Sequence, residues 1–195
     1  MRSNLAGTSI NKEMDTMSTI KTINEGVNKV LCYTLTLFMV VMIAAVVWQV
    51  FTRFVLQDPS NFTDELSRYL LMWIGILGGA YTFAIKRHLA LELLAPKLQR
   101  RGQLILGMVI NAIIVIFSSV AFIYGGYVLV SSTLNHGQIS PGIIIFGHHL
   151  LIGYVYLVVP IAGSLISYFG LVDIITAAFE LKKKEVEIPA EGSLS

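Results

Sequence analysis

The chain is poor in cysteine and in charge. Its single cysteine, Cys32, excludes intramolecular disulfides, Cys-x-x-Cys redox chemistry and cysteine metal clusters. Only 13% of its 195 residues are charged, where an average soluble domain has about a quarter. With 55% apolar residues and a mean hydropathy of +0.72, it has too little polar surface to cover itself in water, and its solvent is a bilayer. No charged residue lies between Arg101 and Asp173. His-x-x-x-His and His-Glu-x-x-His are missing, as are phosphate loops and nucleophile motifs. No ionisable group sits in the middle of an apolar run, where ion and proton carriers keep such groups. Neither an enzyme, nor a metal or cofactor site, nor a nucleic-acid partner is expected.

What is present is four apolar runs of the order needed to cross about 30 Å of hydrocarbon, the second of which, with 17 uncharged residues between Arg68 and Lys86, must borrow flanking turns. An all-α membrane protein is expected, with spans at about 30–52, 64–86, 104–131 and 147–172 inside a four-helix domain covering 30–175. Turn formers at Asn135–Gln138 and Ser140–Gly142 divide the third run from the fourth, and Pro160 should interrupt the fourth and free the carbonyl of Tyr156. Residues 1–29 mix both charge signs and do not resemble a cleavable signal. Met14, Met17, Ile20, Ile23 and Val27 recur at helical steps and suggest an amphipathic lead-in to span one. The segment 88–99 suits a helix lying in the headgroup plane, and 176–195 is a tail expected to be disordered at its end. All Lys and Arg except Arg53 and Arg68 fall before span one, between spans two and three, or after span four. Both termini should therefore be cytoplasmic, with 53–68 and 132–148 facing outward.

Helical phase picks out candidate site residues. In span two, Gly75 and Gly79 form a Gly-x-x-x-Gly pair that lets a neighbouring backbone approach. Their stripe holds Met72 and Thr82, with Glu65, Arg68 and Lys86 at its ends, and is expected to pack against protein. The opposite face, Leu66, Leu70, Trp73, Leu77, Tyr81 and Ala84, is expected to meet lipid. Gln49 and Arg53, four apart, should turn inward, so that Glu65 bridges toward Arg53 or Arg68 as a structural ion pair. Asp58 and Asp64 lie off the stripe and are candidates for docking a partner. His88, His136, His148 and His149 sit at edges or turns.

The series Trp48-Gln49-Val50-Phe51-Thr52-Arg53-Phe54, Pro59, Thr63-Asp64-Glu65-Leu66-Ser67-Arg68-Tyr69, Trp73 and Gly78-Gly79-Ala80 is followed by Arg87-His88-Leu89, Ser140-Pro141 and Val159-Pro160-Ile161-Ala162-Gly163. In order and spacing over 27–175, it resembles the small membrane subunit, DctQ-like, of tripartite ATP-independent periplasmic (TRAP) transporters. Phe62 departs from the family's frequent tryptophan. The resemblance implies a partner: a large membrane subunit that holds the substrate and sodium sites and moves as an elevator. It also implies a periplasmic binding protein that delivers an organic acid, a Gram-negative inner membrane, and a scaffold role here. Overall similarity inclines toward the sialic-acid branch, although no residue reads that substrate. A haem-b anchor subunit of a redox complex is the alternative from another class, and a self-sufficient small exporter is a third.

Overall fold

The computed structural model describes residues 2–86, 100–145 and 147–187. The expected headgroup-plane helix at 88–99, with His88, and the end of the tail fall outside the described residues. No proline precedes Pro59, and the chain opens with one continuous helix, α1 (Arg2–Phe51), which takes in the expected lead-in. It widens into a π-helical turn, Thr52–Leu56, closed by Gln57 in the left-handed conformation at φ 55°. Pro59 then lies just ahead of α2 (Asn61–Lys86).

The third span is α3 (Arg100–Phe117), a π-helical stretch Ser118–Tyr124, and α4 (Gly125–Asn135). A short α5 (Ile152–Val155) precedes α6 (Val158–Glu187). Among the described residues four segments are long and apolar enough to cross a membrane: Thr19–Leu56, Asn61–Ile85, Gly102–Asn135 and Ile152–Leu181.

Two expectations are corrected here. The turn region before span four carries an antiparallel hairpin, β1 (Ile139–Ile145) and β2 (His148–Leu151), a small β element in a helical protein. Ile139, Ile143, Ile144 and Ile145 favour extended backbone. Gly147 supplies a positive φ of 84° at the turn, and the irregular register between Ile139 and Ile144 accommodates Pro141. Second, Pro160 opens a helix instead of kinking one. It is the third residue of α6, where backbone N–H groups have no partner one turn back to lose. The carbonyl of Tyr156 is occupied, accepting the amide of Val159 at 3.0 Å.

Packing runs α1 on α2, α2 on α6, and α6 on the third span. Span four is the hub: 44% of its most apolar window is buried, against 11–17% in the others. The core joins Leu31, Leu77, Ala80, Ala84, Val158, Ala162 and Phe169. Trp73 stands edge-on to Phe38, centroids 5.8 Å apart, and its Nε1–H donates to the carbonyl of Val155 at 3.0 Å. Spans three and four meet along a seam of small residues. A Cβ on Gly163 would stand 2.6 Å from the Phe122 Cβ, and one on Gly170 2.6 Å from a Val115 methyl. Within this seam the Ser118 hydroxyl donates to the Gly163 carbonyl at 3.0 Å, and Ser119 and Ser167 share a hydrogen bond at 3.4 Å. Such contacts replace the hydrophobic effect, which vanishes between helices already in hydrocarbon.

Candidate functional site

One end of the bundle carries a polar corner built by the end of α1, the start of α2 and the hairpin. The Thr52 hydroxyl donates to the Gln49 carbonyl at 3.0 Å, and the amide of Asp58 caps the π turn on the Thr52 carbonyl at 3.2 Å. On α2, the Asp64 amide donates to the Ser60 carbonyl at 3.3 Å, and its carboxylate lies in the first turn, where the helix dipole favours negative charge. Asp64 Oδ1 accepts the Gln49 side-chain amide at 2.8 Å. Asp64 Oδ2 accepts the Arg68 guanidinium at 2.7 Å. The buried hydroxyl of Ser140 donates to Glu65 Oε2. Gly142 completes the contact: a Cβ there would stand 2.9 Å from the Asn61 carbonyl and 3.0 Å from the Glu65 carboxyl carbon.

The corner brings together most of the residues singled out in the sequence but pairs them differently. Arg68 meets Asp64 and not Glu65, while Glu65 holds the hairpin. Asp64, expected to be free for docking, has both oxygens engaged inside the chain. Gln49 turns inward as expected. Arg53 does not: it is exposed, with its guanidinium 5.9 Å from the Phe54 ring centroid. The wider π turn breaks the four-residue phase, so Thr52 takes the buried place. Asp58 is exposed.

The face of α2 opposite the glycines also takes another role than expected. Leu77 and Ala84, on the side expected to meet lipid, are buried in the chain's own core together with Ala80. Gly75, Gly78 and Gly79 have open space where a Cβ would stand, with no atom within 4 Å. Thr82 is exposed and Met72 partly buried. A Cβ would also clash at Gly126, Gly142 and Gly153, and in the seam of span four the spacing of Gly163 and Gly170 from Ser167, at steps of four and three, is the overlooked small-residue signal. Ser140, Gly142 and Asn61 were also overlooked, because nothing local links a turn to a helix start some eighty residues earlier.

His148 and His149 lie on β2, where successive side chains take opposite faces, and His136 Nδ1–H donates to the Ser132 carbonyl at 2.7 Å. Among the described residues no group of three His, Cys, Asp or Glu side chains converges.

Comparison with known proteins bears on most of the chain. The family model for the DctQ component of tripartite ATP-independent periplasmic transporters matches residues 25–180. A Haemophilus influenzae protein provisionally named a TRAP transporter small permease is 26% identical over 159 residues, covering 82% of this chain and 92% of that protein. The sialic acid TRAP transporter small permease protein SiaQ of Vibrio cholerae is 33% identical over 89 residues, 46% of this chain and 51% of that protein. These relatives are named as transporter subunits, in a family not known for enzymes, and the haem-anchor alternative gives way to them. Matched across all four spans, the chain belongs to the DctQ family and is the small permease subunit of a tripartite transporter, not an enzyme.

Proposed function

We propose that this subunit is the fixed scaffold of a sodium-coupled, binding-protein-dependent secondary transporter that imports an organic acid across the bacterial inner membrane. Sialic acid is the first candidate substrate, because a relative named for it shares 33% identity over 89 residues. Substrate and sodium sites belong to the large subunit, in keeping with apolar runs that hold no ionisable group at mid-depth. The distribution of Lys and Arg supports cytoplasmic termini. That orientation turns the polar corner and the hairpin toward the periplasm, where a binding protein arrives.

One observation carries the scaffold role. The face of α2 with Gly75, Gly79 and Thr82 is left open by the chain, while its opposite face fills the core. A helix of the large subunit fits the open face, since small residues let backbones approach closely. The test is Gly75→Leu and Gly79→Leu in a tagged full chain. The four-span unit should melt as the wild type does, while the large subunit no longer co-purifies. Normal co-purification with both variants would overturn this assignment of the face.

A further inference from the structure

Only two Lys or Arg residues, Arg53 and Arg68, lie in 53–68 and 132–148, the loops at the corner end of the bundle. They are not equivalent. Arg68 is neutralised by Asp64 at 2.7 Å. Arg53 has no acidic partner among the described residues. It is exposed, and its guanidinium carbon lies over the Phe54 ring, 5.9 Å from the centroid.

A guanidinium held over a ring by cation–π attraction keeps its five N–H donors, in a planar fork, for an anion. The surroundings say where that anion is. Trp48, Phe51 and Phe54 are 53%, 44% and 72% exposed, and the first two rings lie 5.9 Å apart. They line the last turns of span one, at the depth where aromatic belts sit among lipid headgroups. A planar cation beside exposed rings at that depth matches a phosphodiester with acyl chains running down the helix. A soluble anion would gain nothing from the rings. We propose that Arg53, oriented by Phe54, binds the phosphate of a phospholipid headgroup and anchors the end of span one at fixed depth. The lipid is thus a specific partner at this corner as well as a solvent.

The test uses the full chain, co-expressed with its large subunit and purified in a neutral detergent, with thermal melting followed during titration. The probes are phosphatidylglycerol, diacylglycerol of the same chain length, and inorganic phosphate. Phosphatidylglycerol should raise the wild-type Tm. Losing a charge-assisted contact should make Arg53→Gln require about tenfold more lipid for half the effect. Arg53→Lys should fall between them, because it keeps the charge without the fork. Phe54→Ala should weaken the response while keeping the cation, and Arg68→Gln should leave it unchanged. Diacylglycerol and inorganic phosphate should give no shift that depends on Arg53. An Arg53→Gln response equal to wild type would overturn the site, and so would a full response to inorganic phosphate alone. If Arg53→Gln releases the large subunit yet keeps its lipid response, a carboxylate of that subunit is the partner and the lipid assignment is wrong.

Discussion

Asp64 ties span one to span two through Gln49: its Oδ1 accepts the Gln49 amide at 2.8 Å while its Oδ2 holds Arg68 at 2.7 Å. The two halves of this contact differ in worth. Arg68 and Asp64 side chains are 69% and 46% exposed, and such surface pairs contribute about 0.2–1 kcal/mol. The Gln49 contact is partly buried and crosses between helices, where a bond to a charged acceptor contributes about 1.5–3 kcal/mol before discount for exposure. Asp64→Ala should therefore destabilise by about 1–2 kcal/mol, and Arg68→Ala by less than about 1 kcal/mol. Thermal melting of the purified full chain measures both, and equal shifts would assign the stabilisation to the ion pair alone.

Glu65 and Ser140 fasten the hairpin to α2. Ser140 is fully buried, so Ser140→Ala removes a donor where water does not replace it, at a cost of about 1–3 kcal/mol. The loss should be local. Hydrogen exchange should accelerate in 139–151 while the amides of α2 and α6 stay protected. Gly142→Val should have a similar local effect by forcing apart Asn61 and Glu65. Uniform acceleration across all four spans would mean that the hairpin is part of the global fold.

Leu77 is 4% exposed in the core. Its face was expected to meet lipid; its burial reverses that expectation. Leu77→Ala leaves a cavity, for which about 2–5 kcal/mol is typical, with the low end expected because lipid is as apolar as leucine. Gly163→Ala should also destabilise, by about 1–3 kcal/mol, since the new methyl meets Phe122 at 2.6 Å. Gly75→Ala, with open space around it, should leave the melt of the chain unchanged. A large shift for Gly75→Ala would place a missing intrachain neighbour on that face.

Orientation rests on charge alone, which reporter fusions check directly. Fusions near residues 60 and 138 should be active with a periplasmic reporter, and fusions near 95 with a cytoplasmic one. The opposite pattern would turn the polar corner inward and remove the basis for docking there.

The spans are legible in the sequence because apolar length is a local property. Span boundaries are less so. The hairpin escapes because Ser140-Pro141-Gly142 reads as a turn, while the contact that makes it a strand comes from Glu65 and Asn61 across the chain. Arg53 escapes because helical phase assumes regular α geometry, and the π turn at Thr52–Leu56 rotates it outward. The packing seam of Gly163, Ser167 and Gly170 follows the same small-residue rule as Gly75 and Gly79. Sequence alone does not say which of the two stripes a chain spends on itself and which it leaves for another. Asp64 and Glu65, adjacent and alike in charge, separate only when the structure shows what lies beside each.

These pairings also narrow the candidate docking charges to one. Asp58 and Asp64 are alike by phase, but Asp64 is engaged on both oxygens, and reversing it would break the corner itself. Asp58 is exposed in the loop that follows the π turn, and among the described residues only its backbone amide is used, on the Thr52 carbonyl at 3.2 Å. An exposed charge acts mainly on association rate and is screened within about 10 Å at 0.1 M salt. Asp58→Lys should therefore leave melting and co-purification of the large subunit unchanged, while slowing delivery by the binding protein. A several-fold loss, up to about tenfold, is expected at low ionic strength, fading as salt rises. Asp64→Lys should lower the Tm at every salt concentration. The measurement is uptake into proteoliposomes containing the complex, with the binding protein added outside, across a salt series. If Asp58→Lys transports as the wild type does at low salt, this loop does not steer the binding protein. If it slows transport equally at all salt concentrations, its role is not electrostatic steering but a direct contact or a change in loop shape.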